Sequence, residues 1–436
     1  MAPDGVDAAR LRGGARRRGG PERSEGAVIP AAKALRLILA RTRPMPAIRV
    51  RLPDADGRIT IRDLRAPFAL PRFTASSMDG YALSSRATRG ATRARPVRLR
   101  LRPRAIFAGS KPDPHLASGA AVRIMTGAPL PAGVDAVLPQ EEARLEGGAL
   151  LVTRPVRAGR NVRRAAEDCR RGDIIVPKGT RLQPGAIALL SILGVRQVEV
   201  RRAPRVAIVV TGSEVRPPAA RSLPDYAVHD SSAAFLASAL KEFRISPSLV
   251  TYARDRATDI RKALERACAR ADLVVATGGV SVGERDLVRP ALSSLGTRTI
   301  FWNVAQRPGK PLYFGSRRGV KVFGLPGNPA STVVCYCEYV RPALRAMLGE
   351  AHGAPETWIA RLTAPVTRVE SKTRFLRGRL EEGERGWRVT VDRRQGSNLL
   401  RSFLGNDCLV VVPPGPGRPL AAGSPVRVHP LPWRRA

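Results

Sequence analysis

The chain has 436 residues, with 75 Lys and Arg against 36 Asp and Glu, a formal charge of +39. That length exceeds one hydrophobic core, so about two to four domains are expected, and no apolar run reaches the roughly 18–20 residues that span a bilayer. The charge invites a nucleic-acid partner, but all except 8 of the basic residues are arginines spread through every segment, and aromatics make up only 5%. No nucleic-acid-binding motif or base-stacking platform appears, so nucleic acid is not the expected partner; polyanionic small molecules are.

Residues 1–26 are Gly/Arg-rich without apolar periodicity and read as a disordered basic tail. No apolar leader segment precedes the first periodic stretch, and the five scattered cysteines (Cys169, Cys268, Cys335, Cys337, Cys408) suit a reducing compartment, so a cytoplasmic location without a membrane is expected. An amphipathic helix is expected near Ala31–Thr42, followed by a proline-broken stretch at 45–72. From Val97 to Val152 short β-like runs alternate with Gly and Pro (VRLRLRP, AVRIMTG, DAVLP, ALLVT), which indicates a small β-rich domain over 73–152. Gly159–Val200 reads as strands and turns followed by a helix (PGAIALLSIL).

After Arg205 the rhythm changes to strand, helix, strand, helix, strand. Apolar β-branched runs at 206–212, 245–253 and 271–279 alternate with amphipathic helices at 231–243 and 257–270. Such runs indicate parallel strands covered on both faces, with ligands in the crevice beyond their carboxyl ends. Residues 355–434 are strand-like again and read as a small β-barrel or sandwich. Cys335 and Cys337 lie two apart on an expected helix, face different sides, and suit packing better than metal binding.

The chemistry-bearing residues stand where the apolar runs end. TGGVSVGERD (277–286) offers backbone N–H groups for phosphate oxygens at Gly278, Gly279, Ser281 and Gly283, with Glu284 and Asp286 reaching toward a cation or a ligand hydroxyl. RPGKP (307–311) holds Arg307 and Lys310 on a turn stiffened by two prolines, which lowers their ordering cost on an oxyanion. In GLPGNPAS (324–331), Asn328 is expected as an N-cap, Pro329 as the first helical residue and Ser331 as a hydroxyl at a helix entrance suited to anions. Glu214 follows the first strand of the α/β segment and Asp255 the second. Upstream, SSMDGYA carries Asp79, RIMTGAPLP carries Thr126, and AEDC carries Glu167 and Asp168. Each motif alone is also open to a plain reading as turn, capping or surface-charge chemistry.

Their order carries more than any one of them. SSMDGYA, RIMTGAPLPAGVDAVLPQE, GRNVRRAAEDCRRGD, TGSEV, TGGVSVGERD, RPGKPL, GLPGNPAS and RFLRGRL…QGSNLL, spread over about residues 28–432, resemble the molybdopterin molybdenumtransferase family of bacterial MoeA, plant Cnx1 E-domain and gephyrin E-domain. The resemblance implies a multidomain α/β plus β fold: a central doubly wound α/β molybdopterin-binding domain, β-rich N-terminal domains and a small C-terminal β-barrel. The corresponding boundaries are 27–72 with 153–202 for a discontinuous, elongated linker domain, then 73–152, 203–350 and 355–434.

It further implies molybdate insertion into adenylylated molybdopterin, with release of AMP and assistance from Mg2+, by a homodimer that shares its active cleft between subunits. Contact with other molybdenum cofactor biosynthesis proteins is also implied. By motif, Glu214, Asp255 and Asp286 would line the nucleotide–pterin pocket and hold Mg2+, while Asp79, Thr126 and Asp168 would approach from the partner subunit. Arg307, Lys310, Ser331, Arg374 and Ser397 would surround molybdate and phosphate, with Pro326, Gly327, Asn328 and Pro329 shaping the loop. The sequence departs from the family pattern at Asn303, where a lysine often follows the tryptophan, and at Arg307, Ser213, Ala166 and Ser232. Two other readings remain: a related adenylyltransferase that makes the adenylylated intermediate, and a non-catalytic scaffold.

Overall fold

The computed structural model describes residues 28–434 apart from 112–114, 282, 284–285, 351–352, 368–369, 385 and 416–418. The basic tail and Glu284, both singled out from the sequence, lie outside the described residues. The chain divides into two compact units, residues 46–202 and residues 1–45 with 203–436.

In the unit 46–202, a six-stranded sheet runs in the order Ala136–Pro139, Gly80–Leu83, Ala120–Ile124, Val97–Ile106, Ala149–Val152, Arg144–Glu146. The four runs expected between Val97 and Val152 are all strands. Inward side chains such as Tyr81, Leu83, Leu99 and Leu150 pack on one face, and Ala82, Val122, Ile124 and Val137 on the other, as period-2 alternation requires. Three short ribbons join the start of this unit to its end: Ala47–Arg51 with Gln197–Arg201, Leu64–Arg65 with Ile174–Val176, and Ala75–Ser76 with Val162–Arg163. Helix Pro184–Ile192 starts with proline in its first turn, where no N–H is needed.

The second unit is built on a six-stranded sheet in the order Leu249–Ala253, Val206–Thr211, Leu273–Thr277, Val320–Leu325, Tyr313–Arg317, Arg298–Trp302. The first four strands are parallel and the last two antiparallel. Helix Ala257–Arg270 buries Ile260, Ala263, Leu264, Ala267 and Cys268, the i, i+3, i+4 stripe of an amphipathic helix. Burial of Ile260 and Leu264 contributes about 1.5–3 kcal/mol each. Helix Ser232–Leu240 continues through one 3-10 turn to Phe243, and Arg244 ends it in a left-handed conformation.

The strands Trp358–Leu362, Thr373–Gly383, Gly386–Val391, Cys408–Val412 and Pro425–Pro430 close on themselves, because Thr373–Gly383 pairs with both Gly386–Val391 and Cys408–Val412. The C-terminal segment is therefore a barrel and not a sandwich. Strand Val304–Arg307 runs parallel to the start of Thr373–Gly383, with Arg307 beside Arg374 in register. Ile29–Pro30 pairs with Val304–Arg307 in turn. Helix Ala31–Arg41, which follows Ile29–Pro30 directly, packs in the same compact unit as residues 203–436. Sequence periodicity located the helix but carries no information on which sheet edge its leading residues join.

Candidate functional site

A cavity of about 720 Å³ opens at the carboxyl ends of the parallel strands. Four strand ends supply its walls: Thr211, Gly212 and Glu214; Asp255; Thr277–Ser281 with Gly283 and Asp286; and Pro326–Pro329. Eleven of the residues singled out from the sequence line it: Glu214, Asp255, Gly278, Gly279, Ser281, Gly283, Asp286, Pro326, Gly327, Asn328 and Pro329. A doubly wound sheet turns its chain back at these ends, so residues dozens of positions apart meet there.

Backbone geometry explains the glycines. Gly278 has φ +85°, and a Cβ there would stand 2.6 Å from the Thr211 carbonyl oxygen, so only glycine lets the two strand ends approach. Its N–H donates to the Leu325 carbonyl at 3.0 Å, which ties the glycine loop to the strand that delivers Pro326. The floor is held by Thr211 Oγ1 donating to Thr277 O at 3.2 Å. Asp255 and Ser213 are clasped reciprocally: Ser213 N–H donates to Asp255 Oδ2 at 2.9 Å, and Asp255 N–H donates to Ser213 Oγ at 3.0 Å. Gly283 N–H donates to Asp286 Oδ2 at 2.6 Å. Two of the four N–H groups expected to face a phosphate, those of Gly278 and Gly283, are thus used inside the protein.

The helix entrance at 328–331 differs from expectation in the same way. Asn328 occupies the N-cap position of helix Pro329–Cys335, but its side chain makes no cap bond. Its Nδ2 donates instead to Ser397 Oγ at 3.4 Å, while its carbonyl accepts the N–H groups of Ser331 and Thr332. Ala330 N–H donates to the Ser397 carbonyl at 3.0 Å. Ser331 is 2% exposed and lies beneath the cavity wall. Ser397 reaches the site through Asn328, and its neighbour Asn398 lines the cavity directly.

Arg307 and Lys310 are exposed on a turn outside the cavity lining. The turn is braced from within by buried Gln306, whose Nε2 donates to Pro308 O at 3.1 Å and Gly309 O at 3.2 Å, and whose Oε1 accepts from Tyr339 OH. Gly309 (φ +90°) fits because a Cβ would collide with Cys335 Sγ at 2.5 Å. Burial pushes the Cys335 and Cys337 thiols up, which suits packing and not nucleophilic chemistry. Asn303, where the family often carries lysine, is 8% exposed and left-handed, at φ +72°. Asparagine tolerates that conformation, and its backbone joins Ile29 and Leu312.

In the unit 46–202, Asp79 Oδ1 accepts the Thr126 hydroxyl at 2.6 Å and the Thr126 N–H at 2.7 Å. These bonds hold the Asp79 carboxyl below the ordinary range. Asp168 lines a separate cavity of about 550 Å³ with Phe73, Gly127 and Glu167.

Sequence reasoning passed over Asp230, which lines the main cavity and caps helix Ser232–Leu240 by accepting the N–H groups of Ser232 at 2.8 Å and Ala233 at 3.1 Å. The Asp-Ser-Ser signal was visible there as a cap. His229 and Asn398 were also missed, as were Gln306 and Glu370 beside the cation turn. Tyr252 donates to Asp230 Oδ2 at 3.2 Å, and burial with the Asp230 charge pushes its phenol up to about 12.

Comparison with known proteins places this architecture. Residues 29–194 match the family described as MoeA N-terminal region (domain I and II), 207–346 the probable molybdopterin binding domain, and 359–431 the MoeA C-terminal region (domain IV). The chain is 34% identical to a molybdopterin molybdenumtransferase of Synechococcus elongatus, over 93% of this chain and 100% of the relative. It is 31% identical to one of Haemophilus influenzae, over 87% and 93% respectively. A solved molybdopterin biosynthesis MoeA protein from Pyrococcus horikoshii superposes with a TM-score of 0.78 at 31% identity, covering 93% of this chain and 99% of that one.

Proposed function

The chain belongs to the MoeA family of molybdopterin molybdenumtransferases, transferases of molybdenum cofactor biosynthesis, and from that premise we propose how its residues divide the work. The cavity at the strand ends takes adenylylated molybdopterin, and the turn bearing Arg307 and Lys310, with Arg374 in register beside Arg307, takes molybdate together with Ser397. One observation carries this reading: eleven residues picked from separate motifs line a single cavity at the end of a parallel sheet.

The reaction exchanges a metal oxyanion onto the pterin dithiolene and cleaves the pterin–AMP phosphoanhydride. In this reading, the glycine loop at 278–283 and the Pro326–Pro329 loop position the substrate, while the fixed cations offset repulsion between molybdate and phosphate. Asp255 is held by Ser213 and Asp286 by Gly283, so both carboxylates keep their orientation. Glu214, Asp255 and Asp286 are hard oxygen donors suited to Mg2+. Among the described residues no three such side chains converge into a ready metal cage. Mg2+ is commonly held by one or two carboxylates together with substrate phosphates. Bound there, Mg2+ would neutralise charge on the phosphoanhydride.

The same reading includes a homodimer, with Asp79, Thr126 and Asp168 of a second copy closing on the nucleotide. Its support is the resemblance in the motifs that carry Asp79, Thr126 and Asp168. Co-expressed Asp168→Ala and Asp255→Ala chains then regain activity that neither has alone; equal inactivity of the mixture contradicts a shared cleft. The family also fits cytoplasmic work, and among the described residues no helix is long and apolar enough to cross a membrane.

The substrate assignment is tested by offering the protein adenylylated molybdopterin with molybdate and Mg2+, and separately plain molybdopterin with ATP. AMP release in the first mixture and no ATP consumption in the second is the expected result. The opposite pattern identifies an adenylyltransferase, and silence in both leaves a scaffold.

A further inference from the structure

The cations assigned to the oxyanion already hold an anion of the protein's own. Glu370 Oε1 lies 3.2 Å from Arg307 Nη1 and 3.9 Å from Arg374 Nε, and its Oε2 lies 3.3 Å from Lys372 Nζ. The carboxylate is 14% exposed, so it sits inside the basic group and not at its edge. Main-chain pairing fixes this arrangement: Arg307 and Arg374 are register partners on parallel strands, and Glu370 and Lys372 lie just before the second strand. Arg307 is 63 residues away in sequence, so the convergence is a product of the fold.

We propose that Glu370 is a specificity-determining residue: a tethered carboxylate that occupies the Arg307–Lys372 pair and yields it only to a dianionic oxyanion. The inference rests on the assignment of molybdate to the Arg307 turn. A monoanion arriving at these cations exchanges one negative charge for another and gains no Coulomb energy, while it forfeits the advantage of tethering. A tetrahedral dianion brings twice the charge to the same fixed cations and outcompetes the carboxylate. The residue thus filters by charge, which excludes abundant monoanions such as chloride and dihydrogen phosphate from a site that must wait for a scarce dianion. It does not distinguish molybdate from tungstate, which carry the same charge and shape.

The test measures binding of molybdate and of perrhenate, a tetrahedral monoanion, to the full-length protein by equilibrium dialysis or titration calorimetry. Wild type is expected to bind molybdate and to leave perrhenate unbound. Glu370→Gln keeps the shape and removes the charge; it is expected to bind molybdate about five- to thirtyfold more tightly and to acquire perrhenate binding. Molybdate affinity unchanged or weakened in Glu370→Gln, with thermal unfolding at the wild-type temperature, overturns the proposal and makes Glu370 a structural anchor. If Glu370→Gln does not fold, Glu370→Asp, whose shorter stem draws the charge back from the cations, is expected to shift both affinities in the same direction by a smaller factor, and no shift overturns the filter. Arg307→Ala separates the two levels. Weaker molybdate binding in Arg307→Ala upholds the oxyanion assignment whatever Glu370 does, and an unchanged affinity removes that assignment and the filter with it.

Discussion

Replacing Gly278 by alanine probes the close approach on which the cavity depends. The new Cβ would stand 2.6 Å from Thr211 O and 2.9 Å from Thr211 Oγ1, and the first of these is backbone that cannot swing aside. Gly319 supplies the control. Its φ of +89° nearly equals the +85° of Gly278, yet nothing lies within 4 Å of its would-be Cβ. Both substitutions bear the left-handed penalty of about 1–2 kcal/mol, and Gly278→Ala alone adds a packing conflict of about 1–3 kcal/mol. At roughly 2–4 °C per kcal/mol, Gly278→Ala unfolds about 2–12 °C below Gly319→Ala. Gly319 precedes strand Val320–Leu325 while the cavity lies beyond its far end, about 20 Å away at the usual rise per residue. Gly319→Ala therefore keeps AMP release near wild type, whereas displacement of the Thr211 floor lowers it tenfold or more in Gly278→Ala. Scanning calorimetry and an AMP assay on the two variants decide the matter. Equal unfolding temperatures with equal activities refute the close-approach argument.

Three further outcomes follow from the geometry. Ala166 has φ +63° where the family pattern carries glycine, so Ala166→Gly raises stability by about 0.5–1 kcal/mol, read by thermal unfolding; a lower unfolding temperature contradicts the strain. Tyr252 holds its proton to about 12 in the folded state, against about 10 in the unfolded chain. The linked stability is present below pH 10 and lost as pH rises toward 12; Tyr252→Phe flattens that decline, and an equally steep curve in the variant argues against the shift. Gln306→Leu removes the bonds to Pro308 O and Gly309 O and leaves the Tyr339 hydroxyl without its acceptor. A loss of about 2–4 kcal/mol is expected, with KM for molybdate rising more than KM for the nucleotide substrate; equal rises in both count against a role specific to the turn.

The α/β rhythm was legible because each parallel strand is a continuous apolar run and each helix keeps its stripe, as in 257–270 with Ile260, Leu264 and Ala267 buried. Strand-end residues such as Glu214, Asp255 and Gly278 could be placed together since a parallel sheet has one functional edge. What the sequence withheld is pairing at long range. Nothing local in VESKTRF announces that Glu370 meets Arg307, and nothing in AQRPGKP shows that Gln306 braces its own turn through carbonyls. Asn328 illustrates a subtler limit: its position as N-cap was readable, but the competing partner Ser397 lies 69 residues on. Asn303 resembled a missing cation until its left-handed, buried backbone gave asparagine a structural reason to be there.

The proposed function couples loss of AMP to the uptake of an oxyanion at the Arg307–Lys310 turn. It is tested most directly by single-turnover AMP release from adenylylated molybdopterin as molybdate is varied, in wild type and Lys310→Ala. Release is expected to saturate with molybdate in wild type and to require far higher molybdate in the variant. AMP release indifferent to molybdate, or identical in the two proteins, would contradict it.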